Sequence, residues 1–350
     1  MSAPGRTPAG ARKRPGSEAA RRRIGSETAR RRIGSGAARR REHTPARARA
    51  TSARLAPYGF LAPTAALFAL FFALPIGYAL YLSVRKVQIV GLGLGPDGRE
   101  EVWAGLANYR RALTDSELLA GALRVLGYGA IVVPVMLGLA LFFALLLDDE
   151  RVRGRRFGRL TIFLPYAVPG VIAALLWGFL YLPSVSPLTD ALEAVGLPAP
   201  DLLDGAPLFG ALANIAIWGG TGFNMIVIYT ALRAIPAEVH EAARLDGCTP
   251  LQTALRIKIP MVLPSLVLTF FFSIIATLQV FNEPTTLRPL TNSLSTTWSP
   301  LMKVYEDAFT GGDIHAAAAT AVVIALVTLV LSFGFLRLAT ARDRREENAR

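Results

Sequence analysis

The chain has 350 residues, of which 52% are hydrophobic, and its formal net charge at pH 7 is +13. A mean hydropathy of +0.40 is too apolar for an ordinary water-soluble domain, so we consider a membrane protein first. The single cysteine, Cys248, excludes an internal disulfide, and the three histidines lie in unrelated segments without metal-ligand spacing. No Gly-x-x-x-x-Gly-Lys-Ser/Thr motif occurs, which excludes a nucleotide site of that type within the chain.

The charge excess lies in residues 1–56. They contain sixteen Arg or Lys against three Glu, an excess of 13 that equals the net charge of the whole chain. A run of Ala-Arg-Arg-Arg recurs with a period of nine residues, at Ala20, Ala29 and Ala38. Low hydrophobicity with high charge predicts a disordered tail, which is too long and too basic for a signal peptide. Two interpretations stay open: a solvated, dispensable extension (or a start codon placed too early), and attachment to anionic membrane lipid. Nucleic-acid binding is not indicated by a basic segment confined to one tail.

Six apolar runs follow, each near the roughly 20 residues that a helix needs to cross a bilayer. Their approximate limits are 58–84, 123–147, 160–181, 208–232, 263–280 and 314–336. We therefore predict an all-α integral membrane protein with six transmembrane helices in a permease-sized domain over 57–340, and a short C-terminal tail over 341–350. Prolines inside several runs predict kinks, which membrane bundles tolerate where neighbouring groups satisfy the freed carbonyls.

The loops between the runs differ in charge and so predict an orientation. The link at 151–159 has five arginines and no acid, whereas the link at 182–206 has four acids and no Lys or Arg. The positive-inside rule then places both termini and the loops at 151–159 and 233–262 in the cytoplasm.

The first outer loop, residues 86–117, contains alternating glycines from Gly91 to Gly98. This spacing looks superficially like a dinucleotide-binding motif, but no helix or βαβ unit follows it. We predict a turn or hairpin there.

Between the fourth and fifth runs, residues 233–262 are too polar for the bilayer and predict two short helices. Pro236 favours the start of the first helix, and Asp-Gly at 246–247 its end, since Gly readily adopts the left-handed conformation. Thr249 followed by Pro250 is typical of a second helix start. Pro260 and Pro264 are expected to close the element before the next span.

This connector contains Glu-Ala-Ala-x-x-Asp-Gly from Glu241, followed by Ile-x-Ile-Pro from Ile257. The pattern resembles the EAA coupling loop of permease subunits in ATP-binding-cassette (ABC) importers. The resemblance implies that these residues dock into a groove on a cytoplasmic ATPase: Glu241, Ala242, Ala243, Asp246, Gly247, Ile257 and Pro260.

Further motifs are similar to the carbohydrate branch of that family, close to the larger permease of maltose-type and glycerol-phosphate-type importers. They are Gly-Leu-Ala-Asn-Tyr from Gly105, Leu-Pro-x-x-x-Pro-Gly from Leu164, and Trp-Gly-Gly-Thr-Gly-Phe-Asn from Trp218. The resemblance covers residues 58–340. Two positions depart from it: His240 stands where Tyr is usual, and no Gly-Gly-Pro follows Glu283-Pro284. The second departure leaves the substrate subclass open.

The resemblance implies a type I importer permease, which is not itself an enzyme and has no cofactor of its own, ATP being bound by a partner. It also implies a second permease subunit, two ATPase subunits and an extracytoplasmic solute-binding protein. The expected location is the cytoplasmic membrane.

Polar residues within spans are candidates for a substrate path, because burying a polar side chain without a hydrogen-bond partner costs free energy. The polar candidates are Trp218, Asn224, Ser273, Thr277 and Gln279, and Gly220 is added because a ligand or another helix could come close to it. Hydroxyls and an indole could hold a sugar by hydrogen bonds and stacking, and Ser273 and Thr277 share one helix face. The alternative is that the hydroxyls bond to their own helix and that the glycines pack helices.

Other functions are also compatible with parts of the sequence. An importer subunit for an amino acid, phosphate, phosphate ester or metal would share the coupling loop. An ion-coupled secondary transporter would favour carboxylates within the spans, and none of the six runs contains Asp or Glu. A membrane enzyme would need a metal cluster or a nucleophile with its base, and neither pattern is found.

Overall fold

Most of the described chain is helical in the computed structural model, as the apolar runs predict. The structure describes residues 60–89, 99–149, 151–196, 198 and 200–347. The tail predicted over 1–56 and the glycines of the first outer loop lie outside the described residues. The described residues within Thr64–Arg350 form one compact unit.

Thirteen helices and two strands are described. Their bounds are α1 Phe60–Ser83, β1 Arg85–Ile89, β2 Arg99–Trp103, α2 Ala107–Thr114, α3 Ser116–Asp148, α4 Arg155–Phe163, α5 Gly170–Tyr181, α6 Pro187–Ala194, α7 Gly205–Arg233, α8 Ala237–Leu245, α9 Pro250–Thr253, α10 Ile259–Leu278, α11 Asn282–Leu287, α12 Pro300–Tyr305 and α13 Ile314–Glu347. A 3-10 turn, Leu164–Ala167, extends α4, and a π-helical turn, Ala254–Lys258, joins α9 to α10.

Among the described residues, five helical segments are long and apolar enough to cross a membrane, and a sixth crossing is a bent pair. The five are Phe60–Ser83, Ser116–Asp148, Gly205–Arg233, Pro250–Leu290 and Ile314–Gly334. The pair is Arg155–Ala167 with Gly170–Tyr181, bent by 96°. Six spans are thus found where six were predicted, if the bent pair counts as one.

The third apolar run, 160–181, departs furthest from a simple spanning helix. Val168 and Pro169 have extended backbone, with ψ of 125° and 135°, so the helical hydrogen bonds stop between α4 and α5. Pro165 and Pro169 lack the N–H that would continue them. The predicted kink is therefore a complete break.

The end predicted at Pro260 and Pro264 is wrong. α9, the π-helical turn and α10 follow one another without a gap, so helical structure runs from Pro250 to Leu278. The wide π turn directly precedes Pro260 and accommodates the disruption that a proline ring causes in a regular helix.

The core lies where α3 and α7 pack side by side, with α5, α10 and α11 around them. Two buried tyrosines connect these helices through their hydroxyls. Tyr128 of α3 donates to the carbonyl of Leu212 at 3.0 Å, and Tyr181 of α5 donates to that of Ala211 at 3.2 Å. Both acceptors belong to α7, which is therefore fixed to its neighbours by polar contacts as well as by packing.

The predicted hairpin in the first outer loop is confirmed, since β1 and β2 pair antiparallel from Arg85 opposite Trp103. The Asn-Tyr of the following motif holds α2 to the end of α1. Asn108 donates to the carbonyls of Ser83 and Arg85 at 2.9 and 2.6 Å, and the Tyr109 hydroxyl lies 2.6 Å from the Ser83 hydroxyl.

A second polar connection holds α12 to the start of α3. The Asp115 carboxylate caps α3 by accepting from the N–H groups of Glu117 and Leu118, and Lys303 of α12 lies 3.5 Å from it. Partial burial opposes ionisation of Asp115, but these hydrogen bonds and the Lys303 charge outweigh it and lower its pKa. Burial likewise opposes the charge on Lys303, and Asp307 with Asp115 raises its pKa overall. Both groups are therefore charged at neutral pH.

Gly222 of α7 marks the closest approach of α7 to α4. A Cβ atom at this position would overlap the carbonyl oxygen of Ile162 and lie 2.8 Å from Cα of Phe163. These are backbone atoms, which cannot move aside as a side chain would, so the glycine is needed for helix contact.

We expect Gly222→Ala to destabilise the protein by about 2 kcal/mol, because overpacking at a rigid contact is costly. Gly210→Ala on the same helix is the matched control, since a Cβ there meets nothing within 4 Å. The control should be neutral or gain up to about 1 kcal/mol from helix propensity. Thermal unfolding of the detergent-solubilised protein measures both, and equal stability of the two variants would contradict the contact.

Candidate coupling surface and membrane cavity

The two predicted connector helices form, and their ends have the local geometry that the sequence predicts. Pro236 occupies the N-cap of α8, and Gly247 after its end has φ of +73°. The N–H of Cys248 donates to Ala243 at 3.0 Å and the N–H of Gly247 donates to Arg244 at 3.1 Å. These two hydrogen bonds form a Schellman motif, the helix end in which one residue, here Gly247, has the left-handed conformation.

The second connector helix begins with a reciprocal cap. The Thr249 hydroxyl accepts from the N–H of Gln252 at 3.3 Å, and the Gln252 side chain accepts from the N–H of Thr249 at 2.8 Å. The chain reversal between α8 and α9 is therefore fixed by four local hydrogen bonds, two at the end of α8 and two at the start of α9.

The predicted coupling residues lie at the surface with one exception. Glu241, Ala242, Asp246, Gly247 and Pro260 are exposed, and Ile257 is half-buried. Ala243, which the resemblance implies is a docking residue, is only 3% exposed and so does not form part of the exposed surface in this chain. It faces the protein interior because it lies on the opposite side of α8 from the exposed residues.

Three leucines that the sequence analysis did not select lie beside these residues. Leu245 is 89% exposed, Leu251 of α9 is 67% exposed, and Leu255 of the π turn that follows α9 is 57% exposed. Exposed large apolar side chains beside a carboxylate are typical of a surface for another protein. The signal available in the sequence was the spacing of Leu251 and Leu255, since residues four apart lie on the same face of a helix.

A buried ion pair connects the connector to the spans. Asp148, at the end of α3, is nearly fully buried, and its carboxylate lies 2.6 Å from Nζ of Lys258 in the π turn. Arg233 at the end of α7 is 3.8 Å from the same carboxylate. The sequence analysis did not name Asp148 as a functional residue. The signal available was an acid directly after the apolar run 123–147 and before the five arginines of 151–159.

A polar recess of about 330 Å³ lies next to this ion pair, between the end of α3 and the two connector helices. His240 and Cys248 line it together with Arg244 and Lys258. No group of three His, Cys, Asp or Glu residues that could hold a metal ion occurs within the described ranges.

The second site is a cavity of about 460 Å³ between the spans. Its wall comes from α3, the break between α4 and α5, α7, α10 and the segment 279–283. Five of the six substrate-path candidates line it: Gly220, Asn224, Ser273, Thr277 and Gln279. Residues from two separate sequence regions are thus brought together around one space.

Trp218, the sixth candidate, is outside the cavity wall. Its indole packs edge-on against Trp177 of α5, with ring centroids 5.7 Å apart. Gly220 is a packing glycine as well as a wall residue, since a Cβ there would overlap the sulfur of Met136. Gly219 differs from it, because a Cβ at that position meets nothing within 4 Å.

The polar atoms of the wall are used to different extents. Thr277 donates its hydroxyl hydrogen to the carbonyl of Ser273 at 2.7 Å, as expected if the hydroxyl bonds to its own helix. The hydroxyl oxygen remains able to accept a hydrogen bond. Asn224 donates to the carbonyl of Gly220 at 3.0 Å, but its buried Oδ1 has no partner among the described residues. This oxygen belongs to a residue of the cavity wall and has an acceptor position that no described residue occupies.

The aromatic and acidic parts of the wall were not selected from the sequence. Tyr166 and Phe223 stack with centroids 5.0 Å apart and an interplanar angle of 23°, and both line the cavity. Glu283 lines it too, although its position after the fifth apolar run predicted an outer loop. It belongs to α11, which folds back against α5 and α7.

These elements make up a multi-pass membrane protein with a cavity between its spans and an exposed connector between the fourth and fifth spans. The chain belongs to the family described as "Binding-protein-dependent transport system inner membrane component", whose model matches residues 136–348. It is thus an inner-membrane permease subunit of a binding-protein-dependent importer and is not itself an enzyme. The predicted family is confirmed, and the secondary-transporter and membrane-enzyme alternatives are excluded.

Relatives and solved structures agree with this assignment. The sn-glycerol-3-phosphate transport system permease protein UgpA of Salmonella choleraesuis (strain SC-B67) is 29% identical over 295 residues, which cover 83% of this chain and 96% of UgpA. UgpA of Escherichia coli (strain UTI89) gives the same identity and coverage. A bacterial ABC transporter involved in the import of the acidic polysaccharide alginate has the same fold, with a TM-score of 0.71 and 20% identity over 84% of this chain and 99% of that chain.

We expect Asp148→Asn to destabilise the cytoplasmic ends of the spans by about 3 kcal/mol, because it leaves Lys258 without its buried partner. Asp149→Asn is the matched control, since the Asp149 carboxylate accepts from the N–H of Arg151 in an exposed hydrogen bond. Thermal unfolding in detergent measures the difference. A loss of similar size in both variants would show that the ion pair contributes no specific stability.

Proposed function

We propose that the chain forms the substrate-conducting path of an ATP-driven importer for a carbohydrate, together with a second permease subunit. Two ATPase subunits and an extracytoplasmic solute-binding protein complete the assembly. The cavity is the observation on which the substrate class depends, because it combines unpaired polar atoms with an aromatic pair. A solved relative of the same fold is an alginate transporter in complex with an alginate pentasaccharide-bound periplasmic protein, which supports the partner set.

The size and chemistry of the cavity support a sugar. About 460 Å³ is within the usual range for small-molecule sites, roughly 300–1,000 Å³. Oδ1 of Asn224 and the oxygens of Ser273 and Thr277 can accept from sugar hydroxyls. Tyr166 and Phe223 offer ring faces to the apolar side of a pyranose.

The coupling step follows from the continuity of one helical segment. From Pro250 to Thr277 the chain is helical, which spans about 40 Å at 1.5 Å per residue. Its first turn lies in the proposed docking surface, and its last turns form a wall of the cavity. Movement of the ATPase against the connector is therefore passed directly to Ser273 and Thr277.

Asp148 adds a second connection for the same movement. Its carboxylate holds Lys258 at the base of this helix and Arg233 at the end of α7, and both helices line the cavity. Closure of the ATPase dimer on ATP binding draws the connector inward and changes which side of the membrane the cavity opens to.

In this assembly both termini and the connector face the cytoplasm. The support is the arginine content of residues 151–159 and the absence of Lys and Arg from 182–206. We expect single cysteines at Asp190 and Asp204, in a variant with Cys248 replaced, to react with an impermeant thiol reagent in intact cells. A cysteine at Arg155 should react only after the cells are opened. Labelling of position 155 in intact cells would show that this loop faces outward and that the proposed orientation is wrong.

We expect Glu241→Lys and Gly247→Asp to abolish uptake and ATPase coupling while the subunit still inserts and pairs with its partner permease. Glu241 is exposed for a charge-assisted contact, typically worth about 1.5–3 kcal/mol, and any side chain at Gly247 costs about 1–2 kcal/mol in the left-handed conformation. Co-purification of the ATPase and substrate-stimulated ATP hydrolysis are the measurements.

Two control variants separate docking from general damage. Glu193→Lys makes the same charge change on an exposed residue of α6, and Gly312→Asp introduces the same strain at another glycine, with φ of +67°. Both should retain the ATPase. Wild-type ATPase binding and hydrolysis in the Glu241→Lys, Gly247→Asp double variant would reject the coupling assignment.

We expect bulky apolar replacements at cavity positions, such as Ser273→Leu, Thr277→Leu and Gln279→Leu, to reduce uptake about tenfold or more without loss of ATPase association. Gly219→Leu should act in the same way, because its side chain would enter open space. Thr328→Leu is the control, since Thr328 of α13 bonds to its own helix at 2.9 Å and does not line the cavity. Normal uptake by all four cavity variants would place the substrate path elsewhere.

A further inference from the structure

The charge of the cavity wall restricts the solute further than its size does. Among the described residues that line the cavity, Glu283 is the one Asp or Glu, and none is Lys, Arg or His. Within the described residues, no basic side chain lies within 4 Å of its carboxylate. The cavity therefore contains a carboxylate without a counter-charge.

The position of this carboxylate is set by backbone packing. Glu283 is the second residue of α11, and Oε1 lies 3.9 Å from where a Cβ of Gly170 would stand. The neighbouring Asn282 amide nitrogen is 3.5 Å from the same point. The absence of a side chain at Gly170, the start of α5, leaves this part of the wall open to the cavity.

We propose that Glu283 determines specificity by solute charge, so that the chain conducts an uncharged polyhydroxylated solute and rejects sugar acids and sugar phosphates. The inference rests on the proposed carbohydrate function. A carboxylate accepts hydrogen bonds from two neighbouring hydroxyls of a neutral sugar and repels the carboxylate or phosphate of an acidic one. The walls of the cavity have a lower dielectric constant than bulk water, so this repulsion is screened less than at an open surface.

The proposal separates this chain from relatives of the same fold. The names of those proteins specify sn-glycerol 3-phosphate and alginate, an acidic polysaccharide, both of which are anions. Here the only charge in the cavity wall has the sign that opposes such solutes. The acceptor atoms around it, Oδ1 of Asn224 and the Glu283 oxygens, likewise suit hydroxyl donors.

The test measures binding to the permease itself, with the solute-binding protein left out, so that selection by that protein does not enter. The intact transporter is purified in detergent and probed by saturation-transfer NMR with matched neutral and acidic pairs. The pairs are glucose with glucuronate, galactose with galacturonate, mannose with mannuronate, and glycerol with sn-glycerol 3-phosphate.

Wild-type transporter should bind the neutral member of at least one pair about tenfold or more tightly than its acid. Glu283→Gln should bring that affinity ratio close to one, whereas Glu283→Asp, which keeps the charge, should preserve the preference. Glu306→Gln is the matched control, because Glu306 is a half-buried acid outside the cavity wall. A purely structural role of Glu283 would lower both affinities together and leave their ratio unchanged.

Three results would overturn the proposal: an acid that binds as tightly as its neutral partner, an unchanged ratio in Glu283→Gln, or no binding of any probe. The broader carbohydrate function is judged separately, by uptake of labelled sugars in cells with and without the chain. Loss of sugar uptake on deletion, combined with an unchanged ratio in Glu283→Gln, would reject the role of Glu283 and leave the proposed function standing.

Discussion

Inside a bilayer no water is available, so each polar group has to find its partner within the protein or in a cavity. Most of the polar side chains in the described spans satisfy this condition locally. Threonine hydroxyls bond to carbonyls one turn back on their own helices, and the buried tyrosines bond to carbonyls of α7. Asp148, which cannot be satisfied in this way, is paired with Lys258. Among the described buried polar atoms without a partner, Oδ1 of Asn224 belongs to a residue of the cavity wall, whereas Nε1 of Trp177 and Oγ1 of Thr285 belong to residues outside it.

The same constraint explains where the helices can be interrupted. The backbone between α4 and α5 is extended at Val168 and Pro169, which would be costly against lipid. It lies instead at the cavity, where the freed groups face neighbouring helices and an open space. The close approach at Gly222 brings α4 against α7 and so holds the break in place. A single arrangement of prolines and glycines thus creates the space that the polar residues line.

The proposed coupling between the two sites depends on one continuous helical segment rather than on a chain of separate contacts. The π turn lets helical structure continue past Pro260, so the surface around Leu251 and Leu255 and the wall residues Ser273 and Thr277 belong to one segment. Lys258 lies in the π turn near the start of this segment and is held by a buried carboxylate from α3. In the proposed coupling, a displacement of the connector moves the helix as a body, and the ion pair transmits the displacement to α3.

The sequence by itself determined what depends on neighbouring residues along the chain. Apolar runs gave the spans, Asp-Gly at 246–247 gave a left-handed helix end, and Thr249 with Gln252 gave a cap, because each of these is decided within a few residues. The tertiary structure decided what depends on which helices face each other. It placed Trp218 against Trp177 and outside the cavity, turned Ala243 inward, and brought Glu283 into the wall. No local pattern distinguishes a span residue that faces a cavity from one that faces another helix, since both are polar or small and both are buried; only the packing of α3, α5, α7 and α10 makes that distinction.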